Sequence, residues 1–529
     1  MVHHKLFSLS LCIAFCNAAN ILYVIPFTSM SHYIMLRPIG LDLAKRGHNV
    51  TVITAFKEDH HPPSYHQIIS DNILIWDALG IPKPNVFSMT NLTTIEFHKQ
   101  ILWGGGVGIT EIALKSKSVQ EFLKTDSSFD VVISELFFQE AFYKLAHKYN
   151  APLVLVTTYG NNMRNNLLLR NPWQIATVLQ EHLTVRDPSS FFGRMKNLLF
   201  SLYDFYYWNV WYLKDQDALV EKYLKDVIPE PSPSLIDLQK NVSLVLMNSH
   251  FSVDRAKAYL PNFIEVGGLH LQASSKNLSD DLQRILDNAK FGVVYVNFGS
   301  NVQSSELPVE KKYAFLKVFG RLRETVIWKW EEPGLENKPD NVIIRKWLPQ
   351  KEILAHPNVK VFISHGGLLG VQEGIFNGVP IVGMPVYADQ YNNLLQVQED
   401  GYGKILEFND INEFTLEAVL KEILEDKSYQ IKAKEVQARF RDRPTRPLET
   451  AVFWIEYVIR HRGADFAKNP ALKMHWISSS MLDVYGAIFI VLFGILFVVV
   501  QSVKFMSKTS YKSKVNNNVK SKMSKKKNK

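Results

Sequence analysis

Residues 20–53 read NILYVIPFTSMSHYIMLRPIGLDLAKRGHNVTVI. The run 21–25 is unbroken, apolar and rich in β-branched side chains, which suits a strand covered on both faces. Pro26 ends it, and residues 34–46 then repeat apolar positions at helical spacing up to Gly47, a typical stop at a helix C-terminus. A second β-branched run, 50–53, follows at once. Strand, helix, strand over so short a length is a parallel βαβ unit, because parallel neighbours need a crossover between them. The alternation continues outward: runs 131–133, 153–156 and 244–247 read as further buried strands, the last closing a first domain. Residues 267–280 have linker character. Runs 292–297, 326–328, 342–344, 359–363 and 380–384 then supply a second sheet. The fold class is therefore α/β, two doubly wound, Rossmann-like domains facing a cleft, with ligands beyond the carboxyl ends of the strands.

The ends of the chain carry other information. Residues 1–19 place His3, His4 and Lys5 before an apolar run and exit through Ala18 and Ala19, the pattern of a signal peptide. Both cysteines, Cys12 and Cys16, lie in that leader, so the processed chain offers no disulfide, thiolate nucleophile or cysteine metal site. Residues 484–500 are uncharged and close to the roughly 20 residues a bilayer requires. We assign 482–503 as one transmembrane helix. The tail 504–529 has ten lysines and no acid, more positive charge than the whole chain's formal +9. The basicity is thus confined to one segment beside the span, which marks a cytosolic tail rather than a nucleic-acid surface. Its end, Lys526, Lys527, Asn528 and Lys529, resembles a dilysine retrieval signal. Sequons at Asn91, Asn241 and Asn277 are glycosylation candidates; a fourth, Asn49, opens a buried strand and is expected to stay unmodified. Together these features place the protein in the endoplasmic reticulum membrane, single-pass type I, with the folded domains luminal.

The richest stretch for chemistry runs from Trp347 to Gln390: Trp347-Leu-Pro-Gln350, Ser364-His365-Gly366-Gly367, Gln372-Glu373 and Ala388-Asp389-Gln390. The Ser-His-Gly-Gly step leaves a strand and enters a helix, so glycines admit a close approach and the helix N-terminus favours phosphate oxygens. These motifs resemble the signature of the UDP-glycosyltransferase family, whose two-domain fold is called GT-B, and the resemblance extends from about residue 20 to the tail. It implies that Trp347 stacks on uracil and Gln350 bonds in the same pocket. Glu373 would accept from the ribose hydroxyls. Ser364, His365, Gly366, Gly367 and Gly370, with the loop of Gly299 and Ser300, would hold the diphosphate. Asp389 and Gln390 would bind the transferred sugar, and Lys329 falls where some relatives carry Arg near the base. Leu369 departs from the family, where many relatives carry Asn beside the phosphates.

On the other side of the cleft, the resemblance makes His32 the general base that takes the proton of an acceptor hydroxyl, with Glu135, where many relatives have Asp, orienting it. The reaction would invert the anomeric carbon. The tract 440–465 resembles the family's helix that crosses back to the first domain. This implies domains at 20–270 and 291–475 joined by a linker, 271–290. Wording such as Glu456-Tyr-Val-Ile-Arg-His461 looks most like insect members, which favours UDP-glucose; UDP-glucuronate is the alternative sugar source. No extra basic residue for a sugar carboxylate is evident. The UDP-sugar is a co-substrate, and no cofactor or metal is expected, since His60, His61 and His66 sit in a polar loop without ligand spacing. The acceptor would be a small, lipophilic, phenol-like compound, a detoxification substrate. The partners are then a UDP-sugar, that acceptor and the membrane, with no nucleic acid; the oligomeric state is open, a homodimer included.

Two other functions suit the sequence less well. A non-catalytic carrier on the same fold would need a broken site, and a nicotinamide oxidoreductase would need the Gly-x-Gly-x-x-Gly fingerprint, which is absent after the first strand. The aromatic stretch 191–213 leaves three readings open: cover for an acceptor cleft, a face resting on the membrane, or helices packed on the sheet.

Overall fold

A computed structural model describes residues 18–160, 162–271 and 278–527. The leader up to residue 17, with Cys12 and Cys16, the sequon Asn277, and Asn528 and Lys529 lie outside the described residues. The first sheet has seven parallel strands, β1 (Asn20–Ile25), β2 (Asn49–Thr54), β3 (Tyr65–Ile69), β4 (Val131–Glu135), β5 (Leu153–Val156), β6 (Leu244–Met247) and β7 (Phe263–Glu265), in the order β3-β2-β1-β4-β5-β6-β7. The second has six, β8 (Val293–Asn297), β9 (Thr325–Lys329), β10 (Val342–Arg345), β11 (Val359–Ser364), β12 (Ile381–Gly383) and β13 (Gly403–Ile405), in the order β10-β9-β8-β11-β12-β13. Each sheet reverses its winding between its first and fourth strands, so a crevice opens at the carboxyl ends of β1 and β4 and again at those of β8 and β11.

The side-chain alternation of β1 shows why it is central. Ile21, Tyr23 and Ile25 point into one apolar cluster, with Met35, Leu36, Ile39 and Leu43 of α1 (Met30–Lys45), while Leu22 and Val24 point into the opposite one. Three helices of the second half matter below: α2 (Leu368–Asn377), α3 (Gln390–Glu399) and α4 (Pro447–Arg460). α4 docks on the first sheet's layer, burying Ala451, Val452, Ile455 and Val458 beside α1. Each fully buried Val or Ile contributes about 1.5–3 kcal/mol. In the other direction, Val86 and Phe87 of the front lobe enter the core of the rear sheet, where Phe87 stacks on Phe408 at 4.8 Å. The two lobes thus form one compact unit that ends at Lys468.

Several expectations need correction. The helix after β1 begins at Met30, not near residue 34, so His32 sits in its first turn rather than in a loop. The three strands the sequence did not reveal, β3, β7 and β13, are all sheet edges and partly exposed, so their apolar pattern is weak. β7 also carries the first sheet beyond residue 247, and His66 lies on β3 rather than in a loop, though His60, His61 and His66 are all exposed. The span 271–290 contains a helix, Asp280–Asp287, and the tract 440–465 begins in one helix, Lys427–Arg441, and continues in α4. The helix Phe191–Tyr207 packs on the body through Gly193, Asn197, Phe200, Ser201 and Asp204, leaving Phe191, Phe192, Met195, Leu199, Leu202 and Tyr206 exposed.

A second unit starts at Asn469 and is dominated by one helix, Leu482–Lys527. Its apolar half, 484–500, is exposed throughout and long enough to cross a bilayer. The basic half continues the same helix.

Candidate active site

Because β1 and β4 are parallel neighbours, with Val24 opposite Ser134, their carboxyl ends bring His32 and Glu135 together from 103 residues apart. His32 Nδ1 lies 2.5 Å from Glu135 Oε1. Glu135 is fully buried, whereas the His32 side chain keeps 17% of its surface exposed. Thr158, just after β5, completes the group: its hydroxyl donates to Glu135 Oε1 at 3.1 Å and touches His32 Nδ1 at the same distance. With Nδ1–H given to the carboxylate, the tautomer leaves the Nε2 lone pair free. Phe27 and Phe137 hold the ring from the sides, at centroid distances of 4.8 and 4.6 Å. The arrangement can accept a proton at Nε2 and hold the resulting charge against Glu135. Thr158 was not foreseen; its position two residues beyond Val156, which pairs with Glu135, was the available signal.

The facing group is built the same way from β8 and β11, which pair Asn297 with Ser364. After β8, Gly299 adopts φ +90°, and a Cβ there would fall 2.8 Å from the His365 ring, so only glycine fits. After β11, Gly366 has φ +88° and lies against Leu394, and the chain then enters α2 at Leu368. The free N–H groups of that helix start, together with the His365 imidazole, form an anion-favouring concavity. Burial, then the charge of Lys329, pulls His365 down to about 4, so the ring is neutral. Its sealed Nδ1 has no partner among the described residues.

Two residues expected to touch ligand also shape the turns. Ser364 is fully buried, and its hydroxyl accepts the Gly366 N–H at 3.2 Å. Gln390 is also buried, its carboxamide oxygen accepting the N–H groups of Val386 and Tyr387 at 2.8 and 3.1 Å. Lys329 is buried too; it donates to the Gly299 carbonyl at 3.0 Å and pairs with Glu331 at 2.7 Å, pinning the glycine loop. Ser300 is exposed at that loop. Farther along the cleft, Trp347 is 66% exposed, a free indole face. Gln350 donates to Glu373 and accepts from Asn297 at 2.6 Å. Asn297, which the sequence did not single out, also accepts the Gly299 N–H at 2.9 Å and so couples these two regions. Burial raises Glu373 to about 7 against the pull of the Gln350 hydrogen bond. Gly370 faces Gln350, and Leu369 packs its side chain on the front lobe's apolar cluster, a role Asn could not fill.

Asp389 joins the halves. It follows Ala388, held at φ 56°, and accepts from Asn393 Nδ2 at 2.9 Å, while Asn393 also donates to the Gly366 carbonyl at 3.0 Å. Burial raises the Asp389 carboxyl against the pull of the Asn393 hydrogen bond. The Asp389 carboxylate of the rear lobe lines one cavity with Tyr159 and Glu181 of the front lobe.

Comparison with known proteins identifies the machinery. The family model for UDP-glucoronosyl and UDP-glucosyl transferase matches residues 98–517. The chain belongs to the UDP-glycosyltransferase family. This transferase is 34% identical to UDP-glucosyltransferase 2 of the insect Dactylopius coccus, over 88% of this chain and 89% of that one. It is 31% identical to UDP-glycosyltransferase UGT5 of the same organism, over 89% of each. It is 29% identical to human UDP-glucuronosyltransferase 1A5, over 89% of this chain and 88% of the relative. Among solved structures, the calicheamicin glycosyltransferase CalG4 superposes with a TM-score of 0.55, and the glycotransferase of kitacinnamycin with 0.53. Each is 17% identical and covers 84% of this chain and 99% of its own. These neighbours establish the GT-B fold. The transferase therefore moves a sugar from a UDP-sugar to a small acceptor, and its apolar C-terminal helix fits a membrane anchor.

Among the described residues bearing imidazole, thiol or carboxylate groups, none cluster in a way that could hold a metal ion. Asn91 and Asn241 are exposed. Asn49 is exposed as well, with its amide donating to Asn20 at 3.0 Å.

Proposed function

We propose that this transferase moves glucose from UDP-glucose to a hydroxyl of a small phenol-like acceptor, with inversion and with His32 as the general base. The observation that carries this reading is the His32–Glu135–Thr158 group at the carboxyl ends of the first sheet. The acceptor O–H donates to His32 Nε2, and its proton passes to the imidazole as the oxygen bonds to the anomeric carbon. The bond from that carbon to the phosphate oxygen breaks on the opposite face, and UDP leaves with its electron pair. Glu135 stabilises the imidazolium. The α2 start, the neutral His365 and the glycine loop pinned by Lys329 receive the diphosphate, while Trp347, Gln350 and Glu373 take the uridine. Asp389 binds sugar hydroxyls, with Gln390 holding its loop in place. No metal takes part in this scheme.

Glucose is favoured over glucuronate because the cations near Asp389 are occupied. Arg255 and Lys257 line the same cavity, but Arg255 pairs with Glu399 at 2.5 Å and Lys257 with Asp254 at 2.8 Å, leaving no free cation there among the described residues for a sugar carboxylate. We also place the catalytic unit in the reticulum lumen as a type I protein. The lysine-rich half of the terminal helix suits the cytosolic side, and exposed Asn91 and Asn241 suit glycan addition. A substrate-detoxifying role fits an apolar acceptor.

The test is to incubate membranes bearing the protein with labelled UDP-sugars and a phenolic panel. Transfer is expected with UDP-glucose, and His32→Ala should reduce it by about 10²- to 10⁴-fold while UDP still binds. Turnover retained in that variant would remove His32 from the base role, and transfer from UDP-glucuronate alone would overturn the sugar.

A further inference from the structure

A second imidazole with a buried acid behind it lies on the cleft, outside the group that performs transfer. His182 is 5% exposed, and its Nδ1 lies 2.9 Å from His98 Nε2. His98, fully buried, turns its Nδ1 to Asp204 Oδ1 at 3.2 Å. Asp204, also fully buried, is approached by Arg164 Nε at 3.6 Å and by the Gln180 amide at 3.4 Å. The His182 backbone N–H donates to Gln180 Oε1 at 2.8 Å, fixing the loop that carries it. Three segments far apart in sequence thus converge to orient one ring.

The order of protons follows from the acid. Burial alone would raise the Asp204 carboxyl, but Arg164 and the His98 hydrogen bond hold it below its ordinary value, so it is a carboxylate and accepts from His98 Nδ1–H. His98 Nε2 is then a lone pair and accepts from His182 Nδ1–H. The remaining nitrogen, His182 Nε2, is left as a hydrogen-bond acceptor without a partner among the described residues. Burial lowers the affinity of the ring for a proton and keeps it neutral. His182 lines a cavity between the lobes together with Phe97, Tyr387 and Ala388, the last of these adjoining Asp389.

An aromatic wall connects this nitrogen to the base. The His32 ring is 4.6 Å from Phe137, Phe137 is 5.9 Å from Tyr159, and Tyr159 is 6.1 Å from His182. We infer that His182 Nε2 is a second hydroxyl-binding subsite, which selects flat acceptors carrying a hydroxyl at each end, one at His32 and the other at His182. This rests on the reading of His32 as the base. It makes His182 a specificity residue that holds the far end of the acceptor and takes no part in bond making.

The test compares 4-hydroxybiphenyl with 4,4′-dihydroxybiphenyl on the full-length protein, by equilibrium binding in the presence of UDP and separately by turnover with UDP-glucose. The wild type should bind the diol about three- to tenfold more tightly, the range expected for one hydrogen bond. In His182→Phe that ratio should fall to about one. In His182→Gln, whose carboxamide oxygen takes the place of Nε2, part of it should return. No preference in the wild type, or a preference unchanged in both variants, would overturn the subsite. So would a change confined to UDP-sugar affinity, which would assign His182 to the sugar instead. Because the binding arm forms no product, absence of turnover counts against the proposed reaction and leaves the subsite measurement standing.

Discussion

His32 and Glu135 illustrate how much one carboxylate decides at the scale of a single residue. Glu135→Gln keeps a hydrogen-bonding partner for Nδ1 but removes the charge that stabilises the imidazolium, so transfer should fall by about 10²- to 10⁴-fold with UDP binding intact. Thr158→Ala removes one hydroxyl from the same group and should cost only about two- to tenfold. Comparing single-turnover rates of the two variants separates charge from alignment. Glu373 supplies a pH dependence. Burial raises its carboxyl from 4.5 in the unfolded chain to about 7 when folded. Between those values the folded protein holds a proton that the unfolded chain has lost, so its contribution to stability declines as pH rises through that window. Ribose hydroxyls donate to the ionised form, so UDP affinity should increase from pH 6 to pH 8. Calorimetric titration should show that rise, and Glu373→Gln should flatten it.

Elements determine what these residues can reach. The glycine loop after β8 and the helix start after β11 approach so closely that a methyl group at Gly299 would strike His365. Gly299→Ala is expected to displace that ring and weaken UDP binding, read by the same titration, while leaving the sheet intact. α4 is a long-range tie: Ile455 is fully buried against α1 although more than 400 residues separate the two elements. Ile455→Ala should lower stability by about 2–5 kcal/mol, measured as a fall in the thermal inactivation midpoint of detergent-solubilised protein. The strands that escaped sequence reading were the edges β3, β7 and β13. An edge strand has only one neighbour and one well-covered side, so it needs neither a long apolar run nor strict alternation.

Across the whole molecule, the front lobe holds the rear one through a small apolar insertion. Phe87 stacks on Phe408 and meets Phe298 edge-on at 6.3 Å, next to the glycine loop. Lys83, Asn85 and Val86 converge on Glu306 nearby. Phe87→Ala should therefore raise KM for the UDP-sugar more than it lowers kcat, in addition to a stability loss of about 3–5 kcal/mol typical of a buried Phe. Steady-state kinetics with the sugar varied at saturating acceptor reads the first effect. An unchanged KM would mean that the insertion stabilises the lobes without positioning the loop.

The sequence alone determined the parallel α/β class, the apolar span with its basic extension, and the strand-to-helix positions of His32, His365 and Asp389. Each of these depends on local periodicity or on a turn that only certain residues can make. Tertiary structure decided the rest. Ser364 and Gln390 belong to the same motifs as the cleft residues, yet backbone N–H groups that folding delivers to them claim their side-chain oxygens. Thr158, Asn297 and the His182–His98–Asp204 chain acquire partners only when segments 23 to 106 residues apart are packed together. A lone Thr, Asn or His has no periodicity to display, and its chemistry is set by what burial places within hydrogen-bonding reach.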